Sequence, residues 1–196
     1  MSIGLERSTA RISVRVRSVM TGWEESMRIA VVVGNPKAES RTLRVAVAVA
    51  QRLRGTPAVG PEPLVIDLAD HASELFDIDS STIKGLLESV AKSDVVVVAS
   101  PTYKATYTGL LKAFLDRYPN DALAQTVCIP VMTGAASIHA LAPEVHLRPL
   151  LVELGASTPT RSVFVTEQQF DALDAVIEAW AAAAQPRVDA ALRRST

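Results

Sequence analysis

Short runs of consecutive apolar, mostly β-branched residues alternate along this chain with longer stretches in which apolar positions recur every three or four residues. The first pattern is that of a strand buried on both faces, the second that of a helix laying one face on a core. "RIAVVVG" (28–34) predicts a strand; the turn "NPKAESRT" follows, and "LRVAVAVAQRLRG" predicts a helix that stops at Gly55. "PLVIDLA" (63–69) predicts a second strand, "SSTIKGLLESVAKS" (80–93) a helix capped by Ser80 or Ser81, and "DVVVVAS" (94–100) a third strand. "TGLLKAFLDRY" (108–118) reads as the next helix. The fourth strand, "TVCIPVMTG" (126–134), precedes a long helix, "IHALAPEVHLRPLLVELG" (138–155), interrupted or shaped by Pro143 and Pro149. "TRSVFVT" (160–166) is the fifth strand, with a last helix from about Phe170. Five doubly buried strands separated by helices describe a parallel sheet covered on both sides, a doubly wound α/β fold.

Residues 1–26 fall outside this alternation. They carry Arg7, Arg11, Arg15 and Arg17 without a continuous apolar centre of signal-peptide length, and Glu6, Glu24 and Glu25 do not fit an arginine-rich targeting segment. The expectation is a peripheral or disordered extension over 1–26, with Met27 as the natural start, and a single domain over 27–196. A composition 48% hydrophobic and 21% charged is that of a soluble globular protein. The formal net charge of −1, with basic residues scattered, supplies no field that would recruit nucleic acid or an anionic membrane. No apolar run approaches the roughly 18 residues needed to span a bilayer. The lone Cys128 excludes an intramolecular disulfide and, within "TVCIPVM", reads as a small buried hydrophobe, which fits a reducing cytoplasm. His71, His139 and His146 share no metal-ligand spacing, so no metal site is expected.

A doubly wound sheet takes its ligand outside the carboxyl ends of its strands, and three loops there are richer than connectors need to be. "GNPKAESRT" lies between a strand and a helix start, so backbone N–H groups and the helix dipole offer an anion site, with Ser40, Arg41 and Thr42 as further donors. It is neither a dinucleotide turn nor a nucleoside triphosphate loop. In "SPTYKATYTG", Pro101 fixes its own φ, while the N–H groups of Thr102 and Tyr103 are expected to be free for the edge of a flat heterocycle, with Tyr103 adding an aromatic edge or face. "TGAAS" (133–137) is small enough to let a backbone approach a planar ring. Jointly the loops point to a flat, phosphorylated ligand.

"GNPKAESRT", "SPTYKATYTGLLKAFLD" and "TGAASIHALAPEVHLRPLLVELGA", in this order and spacing, resemble the NADPH-dependent FMN reductase family, in particular the flavin reductases of two-component sulfonate monooxygenase systems, over about Arg28 to Val165. The resemblance implies a flavodoxin-like fold with strand order 2-1-3-4-5, FMN with NADPH or NADH as cofactors, and hydride transfer to the flavin that supplies a monooxygenase. It implies that Ser40, Arg41 and Thr42 hold the phosphate and that Asn35 and Pro36 belong to the cofactor site. Pro101, Thr102, Tyr103, Lys104 and Tyr107 would then lie at the ring, with Thr133, Gly134, Ala135 and Ala136 along its other edge. No catalytic acid or base is expected, because the two nucleotides carry the chemistry and the protein stacks them and excludes water. The alternatives within the fold are an FMN-containing quinone, azo or metal reductase and a non-enzymatic electron carrier. Carriers of that kind are usually strongly acidic, unlike this near-neutral chain. Ala135 and Ala136 stand where the family more often has paired glycines, and Val145 where relatives often carry tyrosine. Finally, the apolar residues Ile138, Leu141, Val145, Leu147, Leu150, Leu151 and Leu154 are more than one sheet-facing helix face uses, which predicts a homodimer or homotetramer.

Overall fold

The computed structural model describes residues 27–55 and 60–193. The extension expected over 1–26 lies outside the described residues. Strands β1 (Ile29–Val33), β2 (Leu64–Asp67), β3 (Val95–Pro101), β4 (Val127–Gly134) and β5 (Val163–Thr166) form one sheet in the order β2-β1-β3-β4-β5, every pairing parallel. The helices are α1 (Arg41–Leu53), α2 (Ser81–Ala91), α3 (Gly109–Leu115), α4 (Arg148–Glu153) and α5 (Leu173–Leu192). No described helix is long and apolar enough to cross a membrane.

The continuous apolar runs are explained by two cores, one on each face. Along β1, Ile29, Val31 and Val33 join α1 and α5, while Ala30 and Val32 join α2, α3 and α4. Successive side chains of a strand point to opposite faces, so a strand covered on both sides must be apolar at every position. Cys128 is wholly buried in the second core, where burial pushes its thiol up to about 12. It packs as the small hydrophobe its surroundings predict.

The helix expected over 138–155 is interrupted, as its prolines allowed. A 3-10 turn at Ser137–His139 and a π turn at Pro143–Leu147 precede a short α4. Pro149 has no N–H to send to the Val145 carbonyl, and its ring would crowd that carbonyl in an α-helix. The chain widens instead, and the Arg148 N–H reaches back to the Pro143 carbonyl. Arg148 then clamps this irregular region to the approach of β5. Its Nη1 and Nη2 donate to the carbonyls of Thr158 and Thr160, both at 2.6 Å, and its Nε donates to Glu144 at 2.5 Å. Glu144 in turn accepts the Ser162 N–H at 2.7 Å.

Candidate active site

The carboxyl ends of the strands open on one side of the sheet, and the loops leaving them enclose a cleft of about 400 Å³. The first of these loops begins at Gly34. An added Cβ there would stand 2.3 Å from Cβ and 2.9 Å from Cα of Leu111, so glycine is what allows β1 to end directly beneath α3. The Gly34 N–H donates to the Ala99 carbonyl at 2.8 Å. Its carbonyl accepts the hydroxyl of Thr108, the N-cap of α3, at 2.5 Å.

Asn35 turns the chain away from the sheet. Its Oδ1 accepts the Lys37 N–H at 2.9 Å, and its Nδ2 donates at 3.2 Å to Thr42 Oγ1, which shares a 2.8 Å hydrogen bond with Thr133 Oγ1 of β4. Ser40 caps α1, its Oγ accepting the Leu43 N–H at 3.2 Å. The N–H groups of Arg41 and Thr42, in the first turn of a 13-residue helix, are left without an intrahelical acceptor, so they and the helix dipole present positive potential to the cleft. Between Asn35 and Ser40, Glu39 takes φ +52 and donates its N–H to Asp67 Oδ2 at 3.2 Å, which ties this loop to the end of β2. Burial raises the Asp67 carboxyl above its ordinary range, against the opposing effect of the Ala69 and Glu39 N–H groups.

The loop between β3 and α3 departs from expectation. The N–H groups of Thr102 and Tyr103 are both engaged. Thr102 donates to the Thr133 carbonyl at 2.7 Å, extending the β3–β4 ladder by one residue. Tyr103 donates to the Thr106 carbonyl at 2.9 Å and accepts from Thr106 at 3.2 Å. This reciprocal pair closes a two-residue turn whose tip, Lys104 and Ala105, has φ values of +51° and +66°. Those are the positive values of a type I′ turn, which asparagine and glycine adopt at less cost. The donor this loop does hold in reserve is a side chain: Thr102 Oγ1 is buried with no partner. It lies beside Gly134, where an added Cβ would stand 2.8 Å from the Phe164 ring and 3.5 Å from that hydroxyl.

A fourth loop, not singled out from the sequence, completes the cleft. After β5 a 3-10 turn at Glu167–Ala172 is fixed by a capping box in which the N–H and hydroxyl of Thr166 meet Gln169 Oε1 at 2.9 and 3.0 Å. From this turn Glu167 pairs with Arg41 at 2.5 Å, and the Phe170 ring lies 5.5 Å from the Arg41 guanidinium carbon.

Asn35, Ser40, Arg41, Thr42, Pro101, Thr102, Tyr103, Thr133, Gly134 and Ala135 thus line one cleft, joined by Lys37, Glu39, Glu167 and Phe170. Pro36, Lys104 and Ala136 are exposed outside that lining, and Tyr107 is half-buried against the core layer that contains α3. The signal for Glu167 and Phe170 is the rule that pointed to the other loops: "TEQQF" also follows the carboxyl end of a strand.

A parallel sheet of order 2-1-3-4-5, with unpaired N–H groups at a helix start after β1 and Gly134 packed closely against the Phe164 ring after β4, is a flavodoxin-like arrangement. Comparison with known proteins carries this further. The family described as NADPH-dependent FMN reductase matches residues 27–171, and the chain belongs to that family. It is an oxidoreductase whose cofactors are FMN and a nicotinamide nucleotide. FMN reductase (NADPH) of Escherichia coli (strain K12) is 32% identical over 146 residues, covering 73% of this chain and 75% of that protein. The NADH-dependent FMN reductase SfnF of Pseudomonas fluorescens (strain Pf0-1) is 31% identical over 149 residues, covering 74% and 79%. Among solved structures, the apo form of the NADH:FMN oxidoreductase EMOB is 30% identical with a TM-score of 0.72, covering 86% of this chain and 90% of that one.

Proposed function

We propose that this cleft binds FMN with its phosphate at the start of α1 and its ring between Tyr103 and Gly134, and that reduced FMN is the product, delivered to a flavin-dependent monooxygenase in the cytoplasm. The observation that carries the assignment of residues is the pairing, within one cleft, of a helix start rich in donors with the unpartnered Thr102 hydroxyl beside Gly134. Both suit a flat ring bearing a phosphate. Bound FMN supplies the hydride acceptor and the nicotinamide nucleotide the hydride. The chain's residues bind and orient. Ser40, Thr42 and the first-turn N–H groups meet the phosphate, Thr102 Oγ1 donates to a polar atom of the ring, and Tyr103, half exposed, covers the mouth. Names of relatives that differ in NADPH and NADH dependence leave both nucleotides as candidates for this chain. The test is the absorption spectrum of the purified protein, followed by NADH and NADPH oxidation with and without added FMN. Oxidation that does not depend on flavin would reject the reading.

Arg41→Ala is expected to weaken FMN binding by roughly 1.5–3 kcal/mol, the worth of a hydrogen bond to a charged group, while leaving riboflavin binding nearly unchanged. Fluorescence-quenching titrations of both flavins check this, and equal losses would remove Arg41 from the phosphate site.

Residues 1–26 are read as peripheral, a reading supported by the family match that begins at residue 27. The chain is further read as a homodimer or a dimer of dimers. Ile138, Leu141, Val145 and Val152 stay 54–83% exposed between the 3-10 turn and α4, while Leu147, Leu151 and Leu154 are buried. A row of exposed aliphatic side chains of that kind is what a second copy covers. Light scattering after size exclusion at micromolar concentration should give at least a dimer; an active monomer near 21 kDa would end this reading.

A further inference from the structure

We propose that Glu167 sets how tightly the flavin is held, by competing with the flavin phosphate for Arg41. This rests on the reading of the cleft as an FMN site. Arg41 is the arginine at the start of α1, beside Ser40 and Thr42, and its guanidinium is already committed. Glu167 Oε1 lies 2.5 Å from Nη2, and Phe170, three residues further along the same turn, stacks against the guanidinium. Two contacts from one rigid turn therefore hold Arg41, and the Thr166–Gln169 capping box holds the turn.

The charges of the lining repeat the same balance. Lys37 and Arg41 are matched by Glu39 and Glu167, so an incoming phosphate dianion meets a lining of no net formal charge. To use Arg41 it must share it with a carboxylate or displace that carboxylate. Displacement is physically open, because the Glu167 side chain is half exposed and water can solvate it once released. Phe170 meanwhile keeps the guanidinium in place. Glu167 is thus a specificity-determining residue for the phosphorylated flavin. It trims the advantage FMN draws from its phosphate and speeds release of the reduced product, while a flavin without phosphate is indifferent to it.

The test measures FMN and riboflavin affinity for the wild type, Glu167→Gln, Arg41→Ala and the double variant, at low and moderate salt. Glu167→Gln should tighten FMN by about two- to fivefold, the scale of one partly exposed charge pair, with a larger gain at low salt. Riboflavin should not change, and in the Arg41→Ala background the gain should vanish. In turnover the variant should show a lower KM for FMN. If the wild type binds FMN but Glu167→Gln binds it equally or more weakly, Glu167 positions Arg41 and the competition is overturned. If the wild type binds no FMN at all, the reading of the cleft falls and this inference with it.

Discussion

Gly34→Ala is expected to lower stability by about 3 kcal/mol or more, the upper range for overpacking a close-packed site, and to abolish flavin binding at temperatures where the chain still folds. The added methyl has nowhere to go. Its nearest neighbours are Cβ and Cα of Leu111, part of the frame of α3 rather than the end of a flexible side chain. Either α3 shifts or β1 does, and both carry the site: Asn35 follows Gly34, and Thr108, which caps α3, is bonded to the Gly34 carbonyl. For a domain of this size such a loss corresponds to a drop in melting temperature of roughly 10 °C. Gly85→Ala is the matched control. Nothing lies within 4 Å of a Cβ at that position in the middle of α2, so the same chemical change should stabilise by roughly 0.5–1 kcal/mol through helix propensity. Thermal melts of the two variants decide the matter. If Gly34→Ala melts with the wild type, the close approach of β1 and α3 is not what the glycine serves.

The second large effect lies away from the cleft. Arg148→Ala should cost about 2–4 kcal/mol, because it strands the Thr158 and Thr160 carbonyls and leaves the half-buried Glu144 without its cation. Part of that cost depends on pH. The hydrogen bond from Arg148, helped by the Ser162 N–H, holds the Glu144 carboxyl below the usual carboxylate range. A carboxylate with a depressed folded-state pKa stabilises above its unfolded value, about 4.3, and this is lost as pH falls through the folded value. The gap in melting temperature between wild type and Arg148→Ala should therefore be widest near pH 7 and narrow below about pH 4. The bonds to the two carbonyls keep it from closing. A gap independent of pH would show that Glu144 takes no part.

The strands were legible because a doubly covered parallel strand leaves a mark no helix shares: "IAVVV" and "VVVVA" are apolar at every position since both faces are buried, whereas their order followed from the family resemblance alone. The stop at Gly55, which takes φ +86, was equally plain. What the sequence hid depends on long-range partners. Whether the Thr102 N–H is free is decided by the Thr133 carbonyl, thirty-one residues away, and the same bond leaves the hydroxyl rather than the amide unsatisfied. Pro143 and Pro149 announced that the following helix would be disturbed, but how the chain reroutes its hydrogen bonds follows from the clamp at Arg148. Glu167 was missed because a glutamate after a strand has no pattern of its own. It acquires meaning from Arg41, 126 residues earlier.

The tip of the β3–α3 loop makes one side of the cleft energetically different from the other. Lys104 and Ala105 hold left-handed backbone angles without the side chains that tolerate them, at a cost of order 1 kcal/mol each. The opposite wall has one such residue, Glu39, but it is stitched from β1 to β4 through Asn35, Thr42 and Thr133, and the Glu39 N–H is tied to Asp67. Any change of shape that lets Lys104 and Ala105 relax refunds part of what it breaks, so the mouth beside Tyr103 is the compliant rim of the cleft and the start of α1 its fixed jaw.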